Sequence, residues 1–130
     1  MLICTGSGCY YALPPTTLSR HLRDKHRAPS TLRKQVEQYV KAFPFTYDYD
    51  TVPLPIDRST PQPVIPIVDG FACCDCQHKT QSRVVARKHA NQAHNKKGVA
   101  DKEMFQVVRM QSWFGKKRER YWVVDESSIA

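Results

Sequence analysis

The sequence predicts a small α+β fold that is stabilised by zinc. Two sets of cysteines and histidines have the spacing of zinc-finger ligands, namely Cys4, Cys9, His21 and His26, and Cys73, Cys76, His89 and His94. Nine prolines in 130 residues and a mean hydropathy of -0.55 leave little patterned apolar sequence for a conventional core. We therefore expect two ββα-like fingers, packed with an intervening helix and a C-terminal β-hairpin as one compact unit.

The first finger is expected at residues 1–28. Its ligand spacing is C-x4-C-x11-H-x4-H, with two glycines between the cysteines and a central interval one residue shorter than the usual 12. Thr16 or Thr17 stands where a helix N-cap is expected, so His21 and His26 lie about one turn apart on one helix face. Two thiolates and two imidazoles on such a scaffold predict a tetrahedral Zn²⁺ site.

A second helix is predicted within residues 29–43, with Ser30 as its N-cap. Apolar residues follow at helical intervals, and we interpret them as a packing surface: Leu32, Val36, Tyr39, Val40 and Phe43. Residues 44–69 hold six of the nine prolines and cannot sustain a helix. We expect an extended connector whose apolar residues lie as a tether across both fingers.

The second finger is expected at residues 70–98, with the spacing C-x2-C-x12-H-x4-H, which fits the standard pattern at every interval. Its helix is predicted from Thr80 or Gln81 to His94, and residues 96–98 supply a basic last turn and a glycine stop. The two sites together imply two zinc ions per chain.

Cys74 and His78 fall outside the second ligand set. Cys74 would form an unfavourable C-x-C chelate with Cys76, so we expect a free thiol. His78 is expected to be a solvated loop residue. Either one becomes a ligand only if the second site is built differently.

A C-terminal β-hairpin is predicted within residues 99–126, because two aromatic and β-branched segments flank a basic tip. The alternative is a short helix over Glu103–Gln111 followed by a strand. Trp113, Phe114 and Trp122 either form core or stack on nucleic-acid bases.

Other functional classes have less support. Five cysteines are an odd number for disulfides, and both pairs precede histidines at finger spacing, so reduced metal-bound thiolates fit better. No apolar run approaches the roughly 20 residues that span a bilayer. A four-ligand zinc site leaves no open position, and neither a phosphate-binding glycine loop nor a pair of carboxylates in an apolar setting is present. We expect no enzyme activity, no small-molecule substrate and no membrane contact.

The formal charge of +8 favours polyanion binding. Nine cations are candidate nucleic-acid contacts: Arg20, Arg23, Arg83, Arg87, Lys88, Lys116, Lys117, Arg118 and Arg120. Base-reading positions −1, 3 and 6 fall on Pro14, Thr17 and Arg20 and on Ser82, Val85 and Lys88, so only Arg20 resembles a strong base reader.

A gap of 46 residues separates His26 from Cys73, which is too long for a tandem array that follows the major groove. Val84 and Val85 are interpreted as packing residues. We therefore expect nucleic-acid binding through the backbone, with DNA favoured over RNA and a nuclear location. The alternatives are a protein-interaction module and a cytoplasmic location.

Several short segments follow one another along the chain: His21-Leu-Arg-Asp-Lys-His26 at the end of the first finger, a helix, the proline-rich connector, Gly70-Phe71 before the second finger, residues 108–114 and residues 120–124. This order of motifs resembles the fungal family named after the orsellinic acid biosynthesis cluster protein D. The resemblance implies paired Cys2His2-like fingers near the N-terminus of larger regulatory or mobile-element-related proteins, of which this chain would be a fragment. It implies no activity, and only the eight ligand positions carry over.

Overall fold

The computed structural model describes residues 2–6, 8–42, 47–114 and 120–128, and the chain divides into two compact units, Met1–Pro53 and Leu54–Ala130. The first unit contains, in order, β1 (Leu2–Cys4), β2 (Tyr11–Leu13), a 3-10 turn (Pro15–Thr17), α1 (Leu18–His26) and α2 (Ser30–Lys41). The second contains β3 (Val68–Cys73), β4 (Lys79–Thr80), α3 (Arg83–His94), α4 (Asp101–Met104), β5 (Phe105–Ser112), β6 (Tyr121–Val123) and a 3-10 turn (Glu126–Ser128). The predicted small α+β class is confirmed.

In the first unit, β1 and β2 form an antiparallel pair, and α1 follows to complete a ββα finger. Thr17 occupies the N-cap of α1, but its hydroxyl donates to the Pro14 carbonyl at 2.9 Å and does not cap the helix. The helix ends where Arg27 adopts a left-handed conformation with φ of 50° and donates its N–H to Leu22 O.

The helix α2 begins at Ser30 with Pro29 at its N-cap, so the predicted Ser30 cap is wrong. It packs against α1, yet none of its described residues is buried. Leu32 and Tyr39 are 45% and 65% exposed, so the predicted packing surface is wrong for these two side chains. Phe43, the last member of that apolar stripe, lies outside the described residues.

The second unit is built on a four-stranded antiparallel sheet in the order β4-β3-β5-β6. The β3–β5 register runs from Val68↔Met110 to Cys73↔Phe105, and β6 pairs with the far end of β5, from Met110↔Val123 to Ser112↔Tyr121. The predicted hairpin is therefore present and extends the sheet of the second finger. The alternative helix over 103–111 is wrong beyond Met104, because those residues form β5.

The helix α3 begins two to three residues later than predicted. Ser82 is its N-cap, and the Ser82 hydroxyl accepts a hydrogen bond from Val85 N at 3.2 Å. Thr80 instead belongs to β4, where it pairs with Phe71. The helix ends at His94 because Asn95 adopts a left-handed conformation with φ of 53°, so the stop comes before the predicted glycine.

One core cluster of the second unit lies between α3 and the sheet. Its buried members are Ala86, Ala90, Met104 and Phe105, with Phe71 and Val99 packed against them. Ala86 and Ala90 are one helical turn apart and fix the buried side of α3. Val84 and Val85 fall outside that stripe and are 75% and 46% exposed, so their predicted packing role is wrong.

Part of the predicted connector lies along β5 and β6. Gln111 is fully buried, and its side chain accepts from Gln62 N at 2.8 Å and donates to the Gln62 and Ile65 carbonyls at 2.9 and 2.8 Å. Ser59 forms a bridge with Val124, and Arg58 N donates to Val123 O. The connector is thus held by hydrogen bonds that need no regular secondary structure of its own.

The aromatic residues of the hairpin belong to the core. Trp113, Phe114 and Trp122 are all buried, and the two tryptophan rings lie 4.9 Å apart. The suggestion that they stack on bases is therefore wrong, because no ring face is available to a base.

Across the described ranges, no helix combines the length and apolarity that a membrane span requires.

Candidate metal centres

The first centre brings Cys4, Cys9, His21 and His26 together in the first unit. Nε2 of His26 lies 3.3 Å from Cys4 Sγ, 3.6 Å from Cys9 Sγ and 3.2 Å from Nε2 of His21. Cys4 ends β1, Cys9 lies in the loop before β2, and α1 presents both histidines from one face. All four ligand atoms lie within 4.8 Å of one another.

The second centre brings Cys73, Cys76, His89 and His94 together in the same way. Cys73 ends β3, while His89 and His94 lie on α3. Cys76 Sγ is 3.2 Å from Nε2 of His89, and the four ligand atoms again lie within 4.8 Å of one another. Both ligand sets that the spacing predicted are therefore assembled.

These distances fit a tetrahedral metal ion. With Zn–S near 2.3 Å and Zn–N near 2.0–2.1 Å, a sulfur and a nitrogen ligand lie about 3.5 Å apart and two nitrogens about 3.3 Å apart. A second observation concerns His94, whose Nε2 is buried and has no hydrogen-bond partner within the described ranges. Buried polar atoms are almost always satisfied, and a metal bond supplies the missing partner. Each group can hold a metal ion.

The electrostatics of both centres also favour a bound cation. Burial, followed by the neighbouring Cys4 thiol, raises the pKa of Cys9 in the metal-free chain, because a second negative charge so close is unfavourable. A divalent cation reverses this effect and stabilises both thiolates. In the second centre, burial and then the nearby His78 and His94 lower the pKa of His89, which favours the neutral, metal-binding imidazole.

Residues beside the ligands fix the ligand geometry. A Cβ on Gly6 would lie 2.6 Å from Cε1 of His26, so only glycine allows the loop to approach this imidazole. The Tyr11 ring meets His21 edge-on at 5.7 Å. Glycine between ligand cysteines was visible in the sequence, but its close approach to His26 depends on the folded loop.

His78 lies in a loop as predicted, but the prediction that its side chain is solvated is wrong. It is half-buried, and its ring stacks on His89 with centroids 4.0 Å apart. No spacing rule signals this contact, because a zinc-finger pattern specifies only ligands. Cys74 lies outside the ligand group, as expected for a spare thiol; it is exposed, with Sγ 3.8 Å from Lys102 O.

The candidate nucleic-acid cations of α3 differ in their availability. Arg83 and Arg87 both pair with Asp101, and the hydrogen bond from Arg83 lowers the pKa of this carboxyl group. Lys88 is exposed and has no ion pair in the parts of the chain that the structure describes. The Asp101 carboxylate therefore pairs with two of the three candidate cations on α3.

In the first unit, Arg20 is exposed and has no ion pair with any described residue, whereas Arg23 pairs with the adjacent Asp24 at 2.9 Å. Arg120 is half-buried. The remaining candidates, Lys116, Lys117 and Arg118, lie outside the described residues.

Most base-reading positions are unavailable for base contacts. Pro14 is fully buried, and the Thr17 and Ser82 hydroxyls are engaged at the helix starts. Val85 is exposed but offers no hydrogen bond to a base edge. The arrangement therefore places exposed positive charge on both finger helices without a set of base-reading side chains.

A model of the family described as "Orsellinic acid/F9775 biosynthesis cluster protein D" matches residues 1–95. The match includes all eight ligands and confirms the family resemblance for both fingers. It ends before residues 108–114 and 120–124, so it does not extend to these two segments of the resemblance. No curated protein and no solved structure matches the chain.

Proposed function

The chain belongs to the orsellinic acid/F9775 biosynthesis cluster protein D family, and we propose that it is a double-finger module that binds two zinc ions and holds nucleic acid mainly through the phosphate backbone. The observation that carries the zinc proposal is that each Cys2His2 group brings its four ligand atoms within 4.8 Å of one another. Two thiolates and two imidazoles in a tetrahedral arrangement are the donor set that Zn²⁺ prefers.

Native mass spectrometry with elemental analysis tests the metal content directly. We expect two zinc ions per chain. A single ion would remove one centre from the proposal, and none would return the cysteines to a disulfide role.

The support for nucleic-acid binding is electrostatic. The chain has a formal charge of +8, and Arg20 and Lys88 project from the two finger helices, unpaired among the described residues. A structural zinc ion with two thiolates leaves this charge unchanged, so the excess stays available for phosphates. The scarcity of base-reading groups favours backbone contacts, which position a protein without reading sequence.

The test is binding of the zinc-loaded chain to mixed-sequence duplex DNA, measured by fluorescence anisotropy over a range of salt concentrations. We expect affinity to fall steeply with salt and to vary little with sequence. Arg20→Gln and Lys88→Gln should each reduce the salt slope by about one, and Lys34→Gln, an equal charge change on α2, is the matched control. Binding that does not respond to salt would contradict backbone contacts. Duplex and single-stranded RNA then test the preference for DNA.

Two further expectations follow from the same site. Four protein ligands leave a zinc ion no open position for water or substrate, which supports a binding protein over an enzyme. A module that binds DNA would act in the nucleus. A fluorescent fusion of the full chain tests this location, and exclusion from the nucleus would contradict it.

Protein interaction is the second candidate function. The observation that favours it is the exposure of Val84 and Val85, which are 75% and 46% accessible on the outer side of α3. Salt separates the two candidates, because apolar association responds weakly to ionic strength while phosphate binding responds strongly.

A further inference from the structure

The strand β5 has an open edge over its first half. In the described residues, β6 pairs only with Met110 to Ser112, and beyond it Val124 N donates to Arg109 O at 2.9 Å. In an antiparallel pair, the N–H and C=O of one residue point to the same side, and residues two apart point alike. Val107 therefore directs its N–H and C=O away from β3, as Arg109 does, and no described residue pairs with them.

An open apolar cavity lies beside this edge. Its volume is about 460 Å³, and its apolar walls are Phe71, Phe105 and Val107. The Val107 side chain is 75% exposed. A free strand edge next to a cavity of this kind provides main-chain hydrogen bonds for an added strand and a pocket for one of its side chains.

Charge at the cavity favours one kind of peptide. The polar part of the lining is Arg83, Asp101, Lys102 and the neutral Gln106, so two cations face one carboxylate there. The local excess is positive, and an acidic residue next to the apolar side chain of an added strand would complement it.

From these two independent features we propose that the open edge of β5 at Val107 binds an extended segment of a protein partner, with an apolar residue in the cavity and an acidic residue beside it. The segment adds a fifth strand to the sheet in line with β6. This activity is separate from nucleic-acid binding and needs neither Arg20 nor Lys88.

The probe is a panel of short synthetic peptides that alternate threonine with an apolar residue and carry glutamate, glutamine or lysine next to it. Binding to the zinc-loaded chain is measured by calorimetry, and amide hydrogen exchange reports the Val107 N–H. We expect the glutamate peptides to bind most tightly and to protect this amide. The same peptides with N-methylated backbone amides should not bind.

Val107→Pro removes the edge N–H and should weaken binding about tenfold, while Val107→Thr keeps the N–H and should bind nearly as the parent chain does. Zinc content confirms that each variant is folded. If Val107→Pro does not fold, the N-methylated peptides test the same main-chain hydrogen bonds on the parent chain. Equal binding by parent and N-methylated peptides would overturn the proposal, as would a panel that never protects the Val107 amide. Protection that depends on protein concentration without peptide would assign the edge to a second copy of the chain instead.

Discussion

The imidazole rings of His78 and His89 lie parallel, with centroids 4.0 Å apart and an angle of 10° between their planes. His89 is a member of the second Cys2His2 group, and its Nε2 lies 3.2 Å from Cys76 Sγ. His78 is held in turn by its own backbone, since Cys73 N donates to His78 O at 2.9 Å. The loop before β4 thus holds the ligand Cys73 through a backbone hydrogen bond and places the His78 ring against the ligand His89.

Replacing His78 by alanine should loosen the second metal centre. Neighbours that orient a ligand typically change metal affinity 10- to 100-fold, and we expect about tenfold weaker zinc binding at this site. The measurement is competition with a chromogenic chelator, in which one of two zinc ions should leave earlier. His78→Phe preserves a flat ring and should retain the parent affinity. Equal zinc binding by the alanine variant would show that the stack has no role in the site.

Acid should release zinc from the second centre, and the direction follows from His89. Burial and the neighbouring histidines lower the pKa of His89 in the folded chain. As the pH falls through the unfolded imidazole value of about 6.5, the unfolded state takes up a proton that the folded state resists, so folding stability decreases. Zinc binding changes in the same direction because only the neutral imidazole is a ligand.

We therefore expect zinc release to increase as the pH is lowered from about 6.5, monitored with the same chelator. Restoring neutral pH in the presence of zinc should restore the metal content. Complete zinc retention far below this pH would contradict the assignment of imidazole ligands.

Each compact unit contains its own Cys2His2 group, which predicts independent losses of metal. Cys9→Ser should remove one zinc ion and the ordered signals of the first unit, and Cys76→Ser should do the same for the second. Structural zinc contributes on the order of 10 kcal/mol to folding in finger peptides, so little structure should remain in a metal-free unit. Native mass spectrometry and amide NMR spectra provide the measurement.

Cys74→Ser is the matched control for these two variants. Its thiol is exposed and outside the ligand group, so the variant should keep two zinc ions. Loss of a metal ion from Cys74→Ser would show that the second centre uses a different pair of thiolates.

The ligands could be predicted from sequence because a tetrahedral ion constrains the intervals between them, and those intervals are local. The pairing of β3 with β5 could not be predicted, because the residue pattern of a strand does not indicate which other strand it pairs with. The same holds for the contact of Asp101 with Arg83 and Arg87, 18 and 14 residues earlier.

The error at Val84 and Val85 has a different cause. Helical periodicity defines a stripe only when one buried residue is known, and α3 offers two candidate stripes. The small side chains of Ala86 and Ala90 allow closer approach to the sheet, and they are the ones that are buried. The side chains of the larger Val84 and Val85 are exposed, whereas the sequence alone favoured their burial.

A side chain at Gly70 should destabilise the second unit. A Cβ at this position would lie 2.0 Å from Cε of Met110 and 3.0 Å from the Thr80 carbonyl. Met110 is fully buried, so its side chain moves only at the expense of its core contacts, and the Thr80 carbonyl belongs to the backbone. Gly70→Ala should destabilise the zinc-loaded chain by about 1–3 kcal/mol in denaturant unfolding. Adding Met110→Ala should relieve the clash with the end of the Met110 side chain. An unchanged unfolding midpoint for Gly70→Ala would contradict the tight fit.

Gln111 should matter for stability more than any exposed glutamine of the same strand. Gln111→Met keeps the length of the side chain but removes the partner of the buried Ile65 carbonyl and of the partly buried Gln62 N–H and carbonyl. We expect a loss of about 1–3 kcal/mol in denaturant unfolding, because unsatisfied buried groups are costly. Gln106→Met, at an exposed position of β5, should change stability little. Equal effects of the two substitutions would indicate that the connector does not depend on Gln111.

Asp101 should limit nucleic-acid binding if the proposed function is correct. Its carboxylate pairs with both Arg83 and Arg87, and Asp101→Asn removes the negative charge that holds these guanidinium groups. The freed cations would then contact phosphates, so affinity for duplex DNA should rise at low salt and the salt slope should steepen by about one to two. Asp50→Asn makes the same change in net charge at an exposed position of the first unit and is the control. If both variants gain affinity equally, net charge alone explains the effect. If neither does, Arg83 and Arg87 are structural cations that fasten α4 to α3, and the phosphate contacts lie elsewhere.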